Sequence, residues 1–236
     1  MAKKTLVMLV VAPLDTLPLK TPVQIVLDSA ANFAVLGGST VTNTGDTVVH
    51  GGDVGSSHGL TITGFPPGIV MSPNAKRMAD DAALQAHIDL TTAYNAVVGM
   101  KPTHNLSGQD LGGLMLLPGV YFFSSAAALK GTLTLNCQDD KKAQFVFQIG
   151  TTLITAKDSA VISINRDSEA EPRNFIFWQV GSSATLGADS TFEGTILAKT
   201  NITINNSASI QDGGALARNG AVTLDTNKIA TNPLAT

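Results

Sequence analysis

The sequence predicts a chain dominated by β-structure: a triangular parallel β-solenoid with one long α-helix packed along a side. Three observations predict it. In the C-terminal half, short alternating segments recur about every 18–20 residues, too long for one strand, too short for a βαβ unit, and suited to a coil of three short strands with their turns. Twenty-two glycines in 236 residues fit a chain that turns often. Hydrophobic residues reach 44% while aromatics are only 5%, so the interior is expected to be thin layers of Ala, Val, Leu and Ile. A β-rich chain of this length is commonly one domain.

Residues 1–28 are expected to form a leader or flexible arm. Lys3 and Lys4 precede an apolar run, Leu6 to Ala12, that Pro13 breaks. This is similar to the start of a secretory signal, though short and without a small-x-small cleavage site, and the expectation is a secreted, extracellular protein. The run is too short to span a bilayer. The solenoid domain is expected over 29–228, with 229–236 as a C-terminal tail.

From Ala31 to Thr63 the segments FAVLGG, STVTNT, DTVVHGG and GLTITGF alternate apolar and polar residues between Gly, Asn, Asp and Ser, as strands and turns do. Phe65-Pro66-Pro67-Gly68 ends that stretch. The helix is expected over 72–99, with Ser72 as N-cap and Pro73 as first helical residue. Ala75, Ala79, Ala82, Ala86, Leu90, Ala93 and Val97 give it a small apolar stripe, and Gly99 followed by Pro102 ends it.

After Pro118 five segments align: TLTLNCQDD from Thr132, TLITAKDSA from Thr152, SATLGADS from Ser183, NITINNSAS from Asn201 and AVTLDTNKI from Ala221. The charged loop SEAEPRN (168–174) displaces the third. Two further sets would form the other walls: FVFQI from Phe145, FIFWQV from Phe175, TILA from Thr195 and GALA from Gly214, then Ile162-Ser-Ile, Phe192-Glu-Gly and Ile210-Gln-Asp. Alternation along a strand sends Leu133, Leu153, Ala184, Ile202 and Val222 inward, with Leu135, Thr155, Leu186, Ile204 and Leu224. The outward columns are then Thr132, Thr152, Ser183, Asn201, Ala221 and Thr134, Ile154, Thr185, Thr203, Thr223. Thr40, Thr42, Thr61 and Thr63 supply two similar N-terminal strands. Threonine is an ordinary choice for a solvated sheet face. What sets these columns apart is that they carry no charge, where an exposed sheet normally shows Lys, Glu or Arg. The wall around Ser190, Thr191, Gly194 and Thr195 is the competing face.

A net charge of −3 with 14% charged residues leaves no basic stripe for nucleic acid and no polybasic segment for a membrane surface. Cys137 is the only cysteine and is expected at a turn, half-buried and inert. A parallel β-helix can also serve as a polysaccharide-degrading enzyme or a polysaccharide-binding adhesin. The first needs paired catalytic groups in a groove. The densest polar cluster, Asp139, Asp140 and Lys141, sits in one turn, and His50, His58, His87 and His104 have no metal-ligand spacing. The second needs outward aromatics, whereas Phe175, Phe177 and Trp178 lie in an apolar run expected to face wall and core. No enzyme activity, cofactor or metal is expected.

The segments ANFAVLGGSTVTNTG, GDVGSS with ITGF, DDAALQAHIDLTTAYN, LPGVYFFSSAA, FVFQIGTTLIT and FWQVGSSATLGADSTFEGTILAKTNITINNSASIQDGGALARNGAVTLDTN together resemble the microbial ice-binding (antifreeze) proteins of cold-adapted fungi, bacteria and algae. The resemblance spans roughly residues 29–227. It implies a right-handed solenoid in discontinuous coil order, N- and C-terminal coils stacking out of sequence, with the helix along one side. It also implies a flat Thr-, Ser- and Ala-rich face that binds ice without a strict repeated motif, giving thermal hysteresis and inhibition of ice recrystallisation. The expected partners are the ice crystal surface and its ordered water, and the expected state is a monomer.

Overall fold

The computed structural model describes residues 25–59, 61–166 and 175–231. The greater part of the expected leader (1–24), the 168–174 loop and the end of the tail (232–236) lie outside these residues. Among them, parallel sheets of nine, seven and eight strands form the three walls of a prism. Each full coil contributes one short strand to each wall. Thr195–Ala198, Ile202–Ile204 and Ser209–Gln211 are one such coil, and Ala215–Ala217, Val222–Asp225 and Lys228–Ala230 the next.

Stacking order departs from chain order. The last coil does not end the stack; its three strands pair with Phe33–Gly37, Thr40–Thr44 and Val48–His50. The coil of Asp53–Ser56, Thr61–Thr63 and Ile69–Val70 then follows. The expected discontinuity is therefore present, and α1 (Asp81–Val98) carries the chain back along the first wall toward the other end of the prism.

The corners explain the turn residues. Asp158, Asp189, Ser207 and Thr226 adopt positive φ between +53° and +60° at equivalent corners of successive coils, and Gly45 (φ +75°) continues the series. Each of the four donates its backbone N–H to a carbonyl of the neighbouring coil. Short polar residues and glycine tolerate this left-handed conformation better than branched apolar ones do. At another corner Gly194 (φ +101°) leaves no room for a side chain, since a Cβ would lie 2.6 Å from Ile176.

Inward residues of the first wall fill the prism with a stack that tapers along its length. His104, Tyr121, Phe147 and Trp178 pair in successive rungs, followed by Ile196, Ala215 and Val35. Phe147 and Trp178 lie face to face with centroids 3.8 Å apart, and the Trp178 indole donates to the Glu193 carbonyl at 3.0 Å.

The outer surface of the first wall is covered. Leu36, Val146, Phe177, Leu197 and Leu216 pack against Ala83, Ala86, Leu90, Ala93, Tyr94 and Val97 of α1, with Ile25, Leu27 and Ala30. Small helix residues allow this close approach. Gln148 donates to the Val97 and Met100 carbonyls at the helix end (2.6 and 2.9 Å), and Gln179 to the Tyr94 hydroxyl (2.9 Å). Because Ile25, Leu27 and Ile229 are buried, the packed body extends beyond 29–228 at both ends.

The helix starts later than the sequence suggests. Asp80, not Ser72, is the N-cap, accepting from the Ala83 N–H at 2.9 Å. The residues in between include an edge strand, Lys76–Met78, paired with Asp53–Ser56 and clamped where Asp53 accepts from the Ala75 N–H and Arg77 Nε. Ladder pairing with a neighbouring coil outweighs a local cap signal. Consequently Ala75 and Ala79 are not helical, and Ala82 is exposed.

Candidate functional site

The second wall gathers most of the uncharged outward residues. Its strand order is Ala127–Leu129, Leu153–Thr155, Ala184–Leu186, Ile202–Ile204, Val222–Asp225, Thr40–Thr44, Thr61–Thr63. Along it runs one column of paired outward residues: Ala128, Ile154, Thr185, Thr203, Thr223, Thr42, Thr63. A second column is made by the residue two places earlier on each strand: Ala126, Thr152, Ser183, Asn201, Ala221, Thr40 and Thr61. Neither contains a charge. The side chains between them, Leu153, Ala184, Ile202, Val222 and Val41, are buried and fix the wall from behind.

Two sequence-derived members stand elsewhere. Thr132 and Thr134 belong to the third wall, where they pair with Ala160 and Ile162. Ala126 and Ala128 occupy their expected places. The inward residues Leu133 and Leu135 go with them to the third wall. There Val161, not Ile162, is buried in line with Phe192 and Ile210, so that alignment shifts by one residue. The other twelve expected site residues share the second wall.

The wall is held by polar contacts at its margins and within. Ser183 Oγ lies 2.8 Å from Thr200 Oγ1, and Asn201 Oδ1 accepts from the Ala221 N–H at 2.9 Å, tying adjacent coils along the second column. Thr42 Oγ1 lies 3.4 Å from Thr223 Oγ1. Thr155 points inward and accepts from the Gly187 N–H at 2.9 Å, so it is a buried rung, not part of the face.

The remaining walls differ in kind. The first lies under α1. The third carries Lys228 and His50, and Arg166 bridges Glu193 (3.2 Å) and Asp212 (2.6 Å). Burial pushes the Glu193 carboxyl above its ordinary range, against the hydrogen bond from Ser163 and the charge of Arg166. The competing face around Ser190 does not assemble: Ser190 and Gly194 are buried and Thr195 belongs to the helix-covered wall, leaving Thr191 alone outward. Trp178 and Phe177 are buried and Phe175 is half-buried beneath the Arg166 guanidinium. The Cys137 thiol is fully buried rather than half-buried, and burial raises its pKa to about 11.

A family profile described as Ice-binding-like matches residues 35–230, which takes in every strand of the second wall. The chain belongs to the ice-binding-like family. Within that family it is 50% identical over 204 residues to the ice-binding protein of Nostoc sp. (strain HG1), covering 86% of this chain and 73% of that one. The crystal structure of an ice-binding protein from the Antarctic ascomycete Antarctomyces psychrotrophicus superposes with a TM-score of 0.80 at 38% identity, covering 88% of this chain and 98% of the other. An ice-binding protein from an Antarctic biological consortium gives 0.81 at 42% identity, covering 91% and 95%.

Proposed function

We propose that this member of the ice-binding-like family adsorbs to ice through the outer face of the second wall, producing thermal hysteresis and inhibiting recrystallisation. The observation that carries this is the uncharged double column running unbroken over seven strands. Outward side chains repeat at about 6.7 Å along a strand and about 4.8 Å between strands, near repeat distances of the ice lattice. Threonine is stiff at χ1, so its methyl and hydroxyl are held in place before any contact is made. Methyls order the adjacent water and hydroxyls anchor it, and the ordered layer merges with the crystal. Weak contacts suffice because the surface is preorganised and they act together.

The family and its relatives support ice as the partner, and the charges on the third wall favour the second. The protein acts as a monomer outside the cell, where ice meets its surface; light scattering of the pure protein and its recovery from culture medium test these two points. The principal experiment observes a single ice crystal in a solution of the pure protein. Faceted crystals whose growth is arrested below the melting point are expected, and unshaped discs at high protein concentration would sink the reading.

A further inference from the structure

At the corner where the helix-covered wall turns into the second wall, beside Thr40 and Thr61, lies an open pocket of about 350 Å³. Gly38 and Gly59 contribute bare backbone, and His58, His87, Arg218 and Asn219 contribute side chains. Neither glycine has space for a Cβ, which would lie 2.1 Å from the Arg218 carbonyl oxygen and 1.5 Å from that of Ser39.

The two imidazoles share one hydroxyl. Ser57 Oγ lies 3.0 Å from His58 Nδ1 and 3.1 Å from His87 Nδ1, with the rings edge to face at 4.6 Å. Each ring therefore commits Nδ1 to Ser57, and among the described residues neither Nε2 has a hydrogen-bond partner. Arg218 arrives from the neighbouring coil. Its Nε donates to Thr91 Oγ1 at 3.3 Å and its guanidinium lies over the Tyr94 ring at 4.5 Å. Those contacts hold the group in place while leaving its terminal amino groups unpaired among the described residues.

Charge completes the picture. Arg77 is matched by Asp53 and Asp80, Arg166 by Glu193 and Asp212, and Lys157 by Asp189. Among the described residues no carboxylate forms an ion pair with Arg218, His58 or His87. Burial lowers the His87 pKa, and His58 and Arg218 both add to the fall, with no acid opposing it.

We propose that this pocket binds a small oxyanion, a carboxylate or phosphate group, between the free edge of the Arg218 guanidinium and the Nε2 atoms of His58 and His87. A guanidinium with two unpaired amino groups offers the parallel donors that such an anion accepts. Ser57 carries one hydroxyl proton, so at most one of the two neutral rings can accept at Nδ1 and present an Nε2–H; protonation gives the other ring its Nε2–H donor and adds charge. The groups facing His87 are His58, Arg218 and the Ser57 hydroxyl, so affinity rises as the pH falls and His87 takes up a proton. By linkage, the bound anion raises the His87 pKa.

The test is a titration of the full chain with inorganic phosphate and, separately, acetate, at ionic strength held constant with chloride. It follows the histidine ring signals and the backbone amides by NMR. Saturable shifts confined to His58, His87 and the adjoining Gly38 and Asn219 are expected, with a higher titration midpoint for His87; the anion that saturates first identifies the preferred geometry. Arg218→Gln should weaken binding about ten-fold or more. Because Arg218 also braces Tyr94, His58→Gln serves as a second variant, with weaker binding and an unchanged melting temperature expected. Shifts that grow linearly with any added salt, or saturation undiminished in both variants, would overturn the proposal. The readout is independent of ice.

Discussion

Thr42 and Thr223 are 181 positions apart in the chain, yet they pair directly in one ladder with hydroxyl oxygens 3.4 Å apart. The junction between N- and C-terminal coils therefore runs through the uncharged face, between the fifth and sixth of its seven strands. Neither half of the chain presents the full grid alone, and the flatness of the face depends on long-range strand pairing, which is slow to form relative to local contacts.

That junction makes the first prediction specific. Thr203 and Thr223 lie centrally in the column and Thr134 on the third wall. Thr203→Tyr or Thr223→Tyr should lower thermal hysteresis about five-fold or more, because one protruding ring lifts many weak contacts off the crystal together. Thr134→Tyr should leave it unchanged. All three substitutions fall on a solvated surface and should alter stability by no more than about 0.5 kcal/mol. Equal losses in the Thr134 variant would move the active face to the third wall.

Thr132 shows why the sequence located the face only in part. Thr132-Leu-Thr-Leu has the same alternation as Ile202-Thr-Ile or Val222-Thr-Leu, and alternation reports which side of a strand is buried, not which wall holds the strand. The second-wall strand of that coil is Ala127-Ala-Leu, whose alanines carry no threonine signal, and only the ladder pairing with Leu153-Ile-Thr assigns it. Where the repeat is regular, from Ala184 through Leu224, the spacing alone placed the second-wall strands, and Leu153 joined them once the 168–174 loop was set aside. That the Thr40–Thr44 strand lies beside a C-terminal coil came from family resemblance, since no local pattern encodes a 181-residue pairing. The His58–His87–Arg218 pocket left no motif, as its members come from a coil corner, the helix and another coil.

Ile154 is the one large apolar residue in the column and is 52% exposed. Ile154→Thr extends the threonine series by one rung and should retain activity within about two-fold, since a methyl and a stiff χ1 are both preserved. Ile154→Lys brings a strongly hydrated charge to the same rung and should reduce hysteresis clearly while the circular dichroism spectrum is unchanged. Ice crystals observed with the two purified variants check this; equal activity in both would place Ile154 outside the contact area.

The helix start provides a stability test unconnected with ice. Asp80 accepts from the Ala83 N–H, whereas Ser72 lies well before the helix. Asp80→Ala should cost about 1 kcal/mol, lowering the melting temperature by about 2–4 °C for a chain of this size. Part of that loss comes through Arg77, whose guanidinium also meets Asp80 at 3.6 Å. Ser72→Ala should have no measurable effect. Thermal unfolding followed by calorimetry distinguishes them, and a larger loss from Ser72→Ala would return the cap to the earlier position.

Glu193 gives the pH prediction. Its carboxyl is buried, and that burial, with Asp212 nearby, raises its pKa in the folded state, while Ser163 and Arg166 pull it down. A carboxyl whose folded pKa lies above the unfolded one favours the fold below the unfolded value, and that contribution is lost as the pH rises through the folded value. At neutral pH the charged carboxylate is therefore a net cost that Arg166 partly offsets. Removing Arg166 strands the charge: Arg166→Gln should destabilise by about 1–3 kcal/mol at neutral pH. The loss should shrink as the pH falls below the carboxylate range, because a protonated Glu193 no longer needs a cation. Glu193→Gln should be close to neutral, and in the double variant most of the Arg166→Gln loss should disappear. Urea unfolding of the four proteins across the acid range measures this directly, and an Arg166→Gln loss that stays constant with pH, or persists in the double variant, would show that Arg166 acts through Asp212 or Phe175 instead.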